Sequence, residues 1–205
     1  MPLVLASTNK GKLKEFDDLF QRTFSAQQLH ILPISQFAER FNVDEIGNTF
    51  AENARIKAEA AMKLSGLPSM GDDSGLCVDA LGGEPGIRSA RWLGDAATDK
   101  DRNVGLLERL AGVTLDLRAA YFECALHIAF PDGSEACAAG RCYGRIGLEE
   151  AGTDGFGYDP IFMVGDTGST MAQLSLLQKN EVSHRTLAVR QLKNNLLTLQ
   201  YALLT

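Results

Sequence analysis

This sequence is short of the features that identify membrane-spanning, secreted and nucleic-acid-binding proteins. No apolar run approaches the roughly 18 residues that a membrane-spanning helix needs, and the apolar start, Met1 to Ala6, is too short for a signal peptide. Positive charge is in deficit, because 20 Lys and Arg stand against 26 Asp and Glu, giving a formal net charge of -6. Partners held mainly through their phosphates, such as nucleic acids or anionic membranes, are therefore not favoured. We expect a cytoplasmic protein with neither nucleic acid nor a membrane as partner.

Paired cysteines are also missing. Cys77, Cys124, Cys137 and Cys142 form no C-x-x-C pair and lie among apolar or small residues. A zinc site or a disulfide framework is therefore not expected, and no histidine or asparagine can be placed beside a cysteine to activate it as a nucleophile. We interpret all four as buried, reduced thiols.

What the sequence does contain is the composition of an ordinary globular protein. Its 205 residues are 45% hydrophobic and 22% charged, which is typical of folded domains. This length suffices for one large domain or two small lobes with a substantial core. The sequence shows no repeat, low-complexity segment or long linker.

The middle and end of the chain predict helices and an antiparallel hairpin. Thr49 and Glu52 have the spacing of a capping box and open an alanine-rich helix that we predict to run to about Leu64. Residues 120–130 and 135–146 are strand-like and flank a Pro-Asp-Gly turn, which predicts a hairpin and a mixed sheet. Ser183 can cap a last helix, in which one apolar stripe is interpreted as core: Leu192, Leu196, Leu199 and Leu203.

Two adjacent carboxylates, Asp72 and Asp73, and the hydroxyl of Ser74 lie between Gly71 and Gly75. On a tight bend they would make a plausible divalent-cation site, because Mg2+ takes one or two carboxylates and shares its remaining positions with water and substrate phosphates. Taken alone, an Asp-Asp pair is explained as well by an ordinary solvated turn. Other segments are needed to decide between the two.

The first of these segments is a basic turn near the start of the chain. Residues 3–6 predict a strand that runs into Ser7-Thr8-Asn9-Lys10-Gly11-Lys12, and a helix follows. Backbone N–H groups, hydroxyls and lysines there could surround a phosphate, although the spacing is not that of a Walker A loop. The alternative is a capped helix with a basic first turn. Lys10, Lys12 and Lys14 would then lie where the helix dipole favours acids, and an anion would relieve this.

The second segment is the helix after Thr49, where Asn53 and Lys57 are four residues apart and share one face. By itself this spacing is best interpreted as a solvated polar face. Just upstream, Asp44 and Glu45 could supply further metal ligands.

The third and fourth segments carry aromatic and cationic side chains. Phe156 and Tyr158 lie on a Gly- and Pro-rich bend, residues 155–160, and could stack on a purine, or simply anchor the bend to the core. Lys179 and residues 183–185, Ser-His-Arg, place cationic or donor side chains at and before a helix start. This again runs against the dipole preference and indicates an anion or an electron-rich partner.

Read together, these segments resemble the inosine triphosphate pyrophosphatase family over nearly the whole chain. The matching motifs occur in the family's order: residues 7–12 with Glu15, residues 47–54 with Lys57, residues 72–76 with 79–83 and 85–86, residues 155–160, and residues 183–185. The resemblance implies an α/β fold in which helices flank a mixed, elongated sheet. It also implies one domain, residues 1–205, of two lobes with a substrate cleft between them.

The resemblance further implies the activity. The family hydrolyses nucleoside triphosphates of deaminated purines, such as ITP, dITP and XTP, to the monophosphate and pyrophosphate. It implies Mg2+ as cofactor, a purine nucleoside triphosphate as substrate and a homodimer. The alternatives are a Maf-like pyrophosphatase acting on other modified nucleotides, a nucleotide-binding regulatory module that lacks catalysis, and an unrelated activity on a similar fold.

Roles carry over from the family by position. Asp73 matches the general base and a metal ligand, and Asp44 matches the second acidic ligand, although Glu45 is an alternative because the family usually has a longer acid at this position. Phe156 matches the ring that stacks on the base. The remaining substrate-binding matches are Ser7, Thr8, Asn9, Lys10, Gly11, Lys12, Lys57, Ser74, Gly157, Tyr158, Asp159, Lys179, His184 and Arg185. The chain also departs from the family at Gln173 and at Leu177-Gln178, where acids are common.

Overall fold

The computed structural model describes residues 2–24, 29–165 and 167–198. Its strands and α-helices follow in the order β1 (Pro2–Leu5), α1 (Lys10–Thr23), β2 (His30–Pro33), α2 (Phe50–Ser65), β3 (Ser69–Val78), α3 (Asp99–Arg109), β4 (Ala119–Ala129), β5 (Glu135–Ile146), β6 (Phe162–Val164), α4 (Leu176–Val182) and α5 (His184–Thr198). Within those ranges, no helix combines the length and apolar character that crossing a membrane requires.

The strands form one mixed sheet in the order β2-β1-β3-β4-β5-β6. Strand β1 runs parallel to β2 and to β3, whereas β5 and β6 are antiparallel. Strands β4 and β5 are neighbours joined by residues 130–134, and so short a connection requires an antiparallel pair, because a parallel crossover takes a dozen residues or more. The predicted α/β class, the mixed sheet and the hairpin are confirmed.

By its internal contacts the chain divides into two compact units. The first unit contains residues 1–73, 124–140 and 184–205, and the second contains residues 74–123 and 141–183. The prediction of a single domain of two lobes with a substrate cleft stays a prediction.

In the core of the first unit, apolar side chains of α1 and α5 join those of strands β1, β3 and β4. Phe16 and Phe20 of α1 are fully buried, and the rings of Phe20 and Phe24 stack with centroids 5.0 Å apart. From α5, Leu192 and Leu196 are fully buried in the same core, as the leucine stripe predicts; positions 199 and 203 of that stripe lie outside the described residues. Each such side chain stabilises the unit by about 1.5 to 3 kcal/mol through burial.

The second unit has a core of its own. Leu106 of α3 and Leu110, the residue after the helix, pack with Phe122 of β4, and the centroids of the Phe122 and Phe162 rings are 4.5 Å apart. Tyr158 belongs to the same cluster. The bend at residues 155–160 is therefore anchored to a packed core.

Helix α2 begins and ends where the sequence predicts. The Thr49 side chain accepts a hydrogen bond from the backbone N–H of Glu52 (3.1 Å), and Glu52 reaches back to the N–H of Asn48 (2.6 Å) rather than to that of Thr49. Gly66 ends the helix in the left-handed region, at φ 68°, where glycine is favoured because it has no Cβ.

The prediction for the cysteines is confirmed for three of the four. All four are free thiols, and Cys77, Cys124 and Cys142 are buried. Cys137 is exposed, so the prediction was wrong for this residue. It lies on β5, where exposed residues alternate with buried ones, and the outward face of the strand falls on position 137.

Candidate active site

The two adjacent aspartates lie in the middle of strand β3, not on a bend as predicted. Because successive side chains of a strand point to opposite faces, Asp72 and Asp73 meet different partners. The face of Gly71 and Asp73 is covered by α2. A Cβ at Gly71 would lie 1.9 Å from the Ala54 carbonyl oxygen, so glycine is needed there for the helix to approach the strand closely.

Asp73 is held by two side chains from α2. Lys57 Nζ donates to Asp73 Oδ1 at 2.7 Å, and Asn53 Nδ2 donates to Asp73 Oδ2 at 3.3 Å. The same Lys57 Nζ donates to Glu45 Oε1 at 2.8 Å. Asn53 and Lys57 are buried, so the interpretation of this face as solvated was wrong. The shared face itself is confirmed, because both side chains reach one carboxylate.

Burial dominates the electrostatics of Asp73. Burial raises the pKa of the Asp73 carboxyl, Lys57 offsets this only in part, and the Glu45 charge adds to the increase. For Lys57, burial opposes the charged form, but the charges of Asp73 and Asp72 outweigh it and raise the lysine's pKa. The Asp73 carboxylate is thus a buried proton acceptor beside a firmly protonated ammonium, an arrangement suited to general-base chemistry.

Asp72 points to the other face of β3 and forms an ion pair with the basic turn. Lys12 Nζ lies 2.6 Å from Asp72 Oδ2, and the Cys124 thiol donates to Asp72 Oδ1 at 3.3 Å. Burial by itself would raise the pKa of Asp72, but the charges of Lys12, Arg185 and Lys57 outweigh burial and hold it well below its usual range. The Asp72 carboxylate is therefore an anion beside the basic first turn of α1.

The basic turn has the predicted strand, turn and helix arrangement. The Ser7 hydroxyl accepts from the Asn9 N–H (3.2 Å), and the Asn9 side chain caps α1 by accepting from the Lys12 N–H (3.0 Å). Thr8 and Lys10 are exposed, and Gly11 is half-buried. Their assignment to phosphate binding stays a prediction.

The first unit also contains the start of α5. Arg185 Nη1 donates to Glu15 Oε2 of α1 at 2.7 Å, and both side chains are buried. His184 beside it is buried as well. Within the first unit, the charge of Arg185 acts on Asp72 together with the charges of Lys12 and Lys57.

The second unit gathers a separate set of predicted residues on the bend. Asp159 is buried and its Oδ2 accepts from the Phe156 N–H (2.9 Å) and from Lys179 Nζ (2.8 Å). The same ammonium lies 5.0 Å from the centroid of the Phe156 ring, within range of a cation–π contact. Asp159 therefore fixes both the backbone of Phe156 and the lysine above its ring.

Tyr158 differs from Phe156 in its surroundings. Its hydroxyl donates to the Ser89 carbonyl oxygen at 3.0 Å, and burial raises its pKa. The contacts of Tyr158 are those of an anchor for the bend, whereas Phe156 is only half-buried. Gly157 is half-buried, as is Ser74, which lies on β3 next to Asp73 but falls in the second unit.

Lys179 precedes the start of α5, as the sequence predicts, but it is part of another helix. It belongs to α4 and lies in its last turn, where the helix dipole favours a cation, so the prediction that Lys179 runs against the dipole was wrong. Ser175 and Gln178 form a capping box at the start of α4, and Thr170 and Gln173 form another before it. Gln173 and Gln178 occupy positions where acids are common in the family. In each case the side-chain amide oxygen makes the contact that a Glu carboxylate makes in the usual capping box.

The donor set around Asp73 fits a magnesium ion. Oxygens of Glu45 and Asp73 converge on one ammonium, that of Lys57, so these carboxylates share a site where a cation is favoured. Asp44 is exposed, whereas Glu45 contacts the Lys57 ammonium; the assignment of Asp44 as the second acidic ligand, with Glu45 as the alternative, stays a prediction. Across the described ranges no three His, Cys, Asp or Glu residues cluster tightly enough to hold a metal ion unaided.

Comparison with known proteins identifies the family. Residues 3–195 match the model of the Ham1 family. The chain therefore belongs to the Ham1 family, which confirms the resemblance drawn from the motifs.

Individual relatives support this assignment. The chain is 43% identical to a dITP/XTP pyrophosphatase of Geobacter sulfurreducens, over 95% of this chain and 96% of that protein. It is 41% identical to a protein of the same name from Listeria monocytogenes, over 95% and 94%. Among solved structures, the Staphylococcus aureus Ham1 protein superposes with a TM-score of 0.84 at 40% identity, covering 98% of this chain and all of the other.

Proposed function

We propose that this chain is a nucleoside triphosphate pyrophosphatase that hydrolyses ITP, dITP and XTP to the monophosphate and pyrophosphate, and so removes deaminated purines from the nucleotide pool. The observation that carries the proposal is the buried Asp73 carboxylate, held beside Lys57 and Glu45, in a chain that is 41% and 43% identical to two proteins named dITP/XTP pyrophosphatase. Mere nucleotide binding does not require a buried proton acceptor.

The chemistry follows from the groups around Asp73. Hydrolysis to monophosphate and pyrophosphate means that water attacks the α-phosphorus while pyrophosphate leaves, and negative charge builds up on the phosphate oxygens. Asp73 would orient the water and accept its proton. Lys57 and Lys12, each already within 3 Å of a carboxylate, would stabilise the developing charge, as would Lys179. Mg2+, held by Asp73 and Glu45, would neutralise the triphosphate when bound.

Recognition of the base is the second part of the proposal. A deaminated purine carries an oxygen at C6, a hydrogen-bond acceptor, where adenine carries an amino group. Donors from His184 or Arg185 would pair with that oxygen and leave the amino group of adenine without a partner. A site built to hydrogen-bond one substrate group rejects analogues that lack it by large factors.

Pyrophosphate release is the test of this function. We expect catalytic efficiencies for ITP and XTP at least about 100-fold above that for ATP, because the wrong C6 substituent leaves buried polar groups unpaired. Activity is expected to disappear when Mg2+ is removed with EDTA and to return when Mg2+ is added in excess. The panel would contain ITP, XTP, GTP, ATP and a modified pyrimidine triphosphate.

Each outcome of the panel is informative. Equal catalytic efficiencies for ITP and ATP would contradict the proposed recognition of the C6 oxygen by hydrogen-bond donors. A preference for the modified pyrimidine would favour the Maf-like alternative, and undiminished turnover in EDTA would exclude the proposed magnesium dependence.

Oligomeric state and location are further parts of the proposal. We propose a homodimer, as the family resemblance implies, located in the cytoplasm where nucleoside triphosphates are substrates for polymerases. Light scattering on the purified protein should give twice the chain mass of 22.2 kDa, and a mass of a single chain would contradict the dimer.

A further inference from the structure

Helix α3 holds the backbone on the C-terminal side of Phe156. The Gly157 N–H donates to Asp99 Oδ2 at 2.8 Å, and Asn103 Nδ2 donates to the Gly157 carbonyl oxygen at 3.2 Å. Asp99 and Asn103 are four residues apart and therefore lie on one face of α3. Both polar groups of Gly157 are thus bound by a single helix.

The N-terminal side of Phe156 is fixed from within the bend. Its N–H donates to Asp159 Oδ2, which Lys179 also contacts. Gly155, at φ 83°, lies so close to this carboxylate that a Cβ would come within 2.0 Å of Asp159 Oδ2. The backbone of Phe156 is therefore tied on both sides, by Asp159 before the ring and by Asp99 after it.

The two α3 side chains are themselves held in place. Arg102 Nη2 donates to Asp99 Oδ1 at 2.6 Å, leaving Oδ2 for Gly157. Asn103 is 1% exposed and its amide also donates to Glu150 Oε1 at 3.1 Å. The start of α3 is fixed by a capping box between Thr98 and Asp101. The contacts to Gly157 therefore come from preorganised groups.

We propose that Asp99 and Asn103 are positioning residues for Phe156. They bind the backbone of the bend and set the orientation of the ring, and through it the binding of the purine. The inference rests on the proposed function and on the match of Phe156 to the ring that stacks on the base, which the family resemblance implies. A ring that is already held in its binding orientation saves the entropy of ordering it when substrate arrives, so loosening the bend weakens binding without touching the reacting atoms.

The test compares KM and kcat for ITP in variants of the exposed residue Asp99. Asp99→Ala is expected to raise KM about fivefold, the effect of losing one hydrogen bond of ordinary strength, with kcat little changed because the reacting groups are untouched. Asp99→Asn keeps an acceptor oxygen and should stay within about twofold of the wild type on the same argument. Asn103→Ala should change KM in the same direction as Asp99→Ala.

Asp101→Ala is the matched control. It removes an acid from the same helical turn and breaks the capping box, but Asp101 contacts Thr98 rather than Gly157. We expect it to lower the thermal midpoint and leave KM for ITP unchanged. If Asp101→Ala raised KM as much as Asp99→Ala, the effect would be one of helix stability and the inference would be overturned.

A double-mutant cycle with Phe156→Ala gives the decisive comparison. Phe156→Ala alone should raise KM about thirtyfold, because stacking on a base contributes about 1 to 3 kcal/mol. In that background Asp99→Ala should add nothing, since it acts through the missing ring. Equal factors in both backgrounds would overturn the inference while leaving the proposed function intact. A wild-type protein that releases no pyrophosphate from ITP would instead remove the proposed function, and the inference with it.

Discussion

Replacing Asp73 by asparagine is expected to lower kcat for ITP by at least about a thousandfold, because a positioned general base contributes about 10² to 10⁴ and Asp73 is also a proposed metal ligand. The fold should survive. Burial raises the pKa of this carboxyl, so its charged form is disfavoured in the folded protein, and a neutral amide of the same shape avoids that cost. Lys57 keeps Glu45 as its partner.

Pyrophosphate release and thermal unfolding of the purified variant measure the two halves of this expectation. Asp17→Asn is a suitable control, because Asp17 is an exposed acid of α1 that contacts Gln21 and belongs to no proposed site. Full turnover in Asp73→Asn would contradict the assigned role. Loss of both activity and folding would show that Asp73 is a structural residue instead.

The neighbouring change, Asp72→Asn, is expected to destabilise the protein. The charges of Lys12, Arg185 and Lys57 hold the pKa of Asp72 well below its usual range, so the folded protein favours the ionised form at neutral pH. Removing that charge leaves the Lys12 ammonium, whose side chain is only 17% exposed, without its anion. Breaking a buried pair in this way costs about 3 kcal/mol or more, which for a chain of this size lowers Tm by about 10 °C.

Differential scanning calorimetry on Asp72→Asn and on Asp18→Asn would compare the stability lost with a buried ion pair and the stability lost with a surface ion pair. Asp18 forms an ion pair with Arg22 at 2.8 Å, close to the Lys12–Asp72 distance, but on the surface of α1. An exposed pair is worth less than about 1 kcal/mol, so Asp18→Asn should change Tm little. Equal Tm values for the two variants would contradict the prediction that the buried Lys12–Asp72 pair stabilises the protein more than a surface pair does.

The parts of the fold that the sequence predicts are those set by neighbouring residues. Thr49 and Gly66 mark the ends of α2 by chemistry that acts within one turn. The turn between β4 and β5 sets their antiparallel pairing. The bend predicted at residues 71–75 was wrong because glycine and aspartate favour turns locally, whereas tertiary contacts decide here. Gly71 is needed to let α2 approach, and β3 pairs with β1.

In the candidate site, too, the sequence predicts what neighbouring residues determine, and tertiary packing determines the rest. The Asn53 and Lys57 spacing predicts a shared face, but only the packing of α2 on β3 shows that the face is buried against Asp73. The lysines of the first α1 turn indicate a nearby anion, and the structure supplies one from Asp72, far along the chain. Asp99 and Asn103 have no sequence signal beyond their four-residue spacing, because their partner is the backbone of Gly157.

The opposite orientations of Asp72 and Asp73 make the length of the preceding chain critical. If one residue were inserted between Ser69, which pairs with Val4 of β1, and the aspartates, every later side chain of β3 would move to the other face of the sheet. Asp73, the proposed general base, would then face Lys12, and Asp72 would face α2. We therefore expect homologous chains to vary freely in the loops around β3 but to keep an unchanged residue count from Ser69 to Asp73.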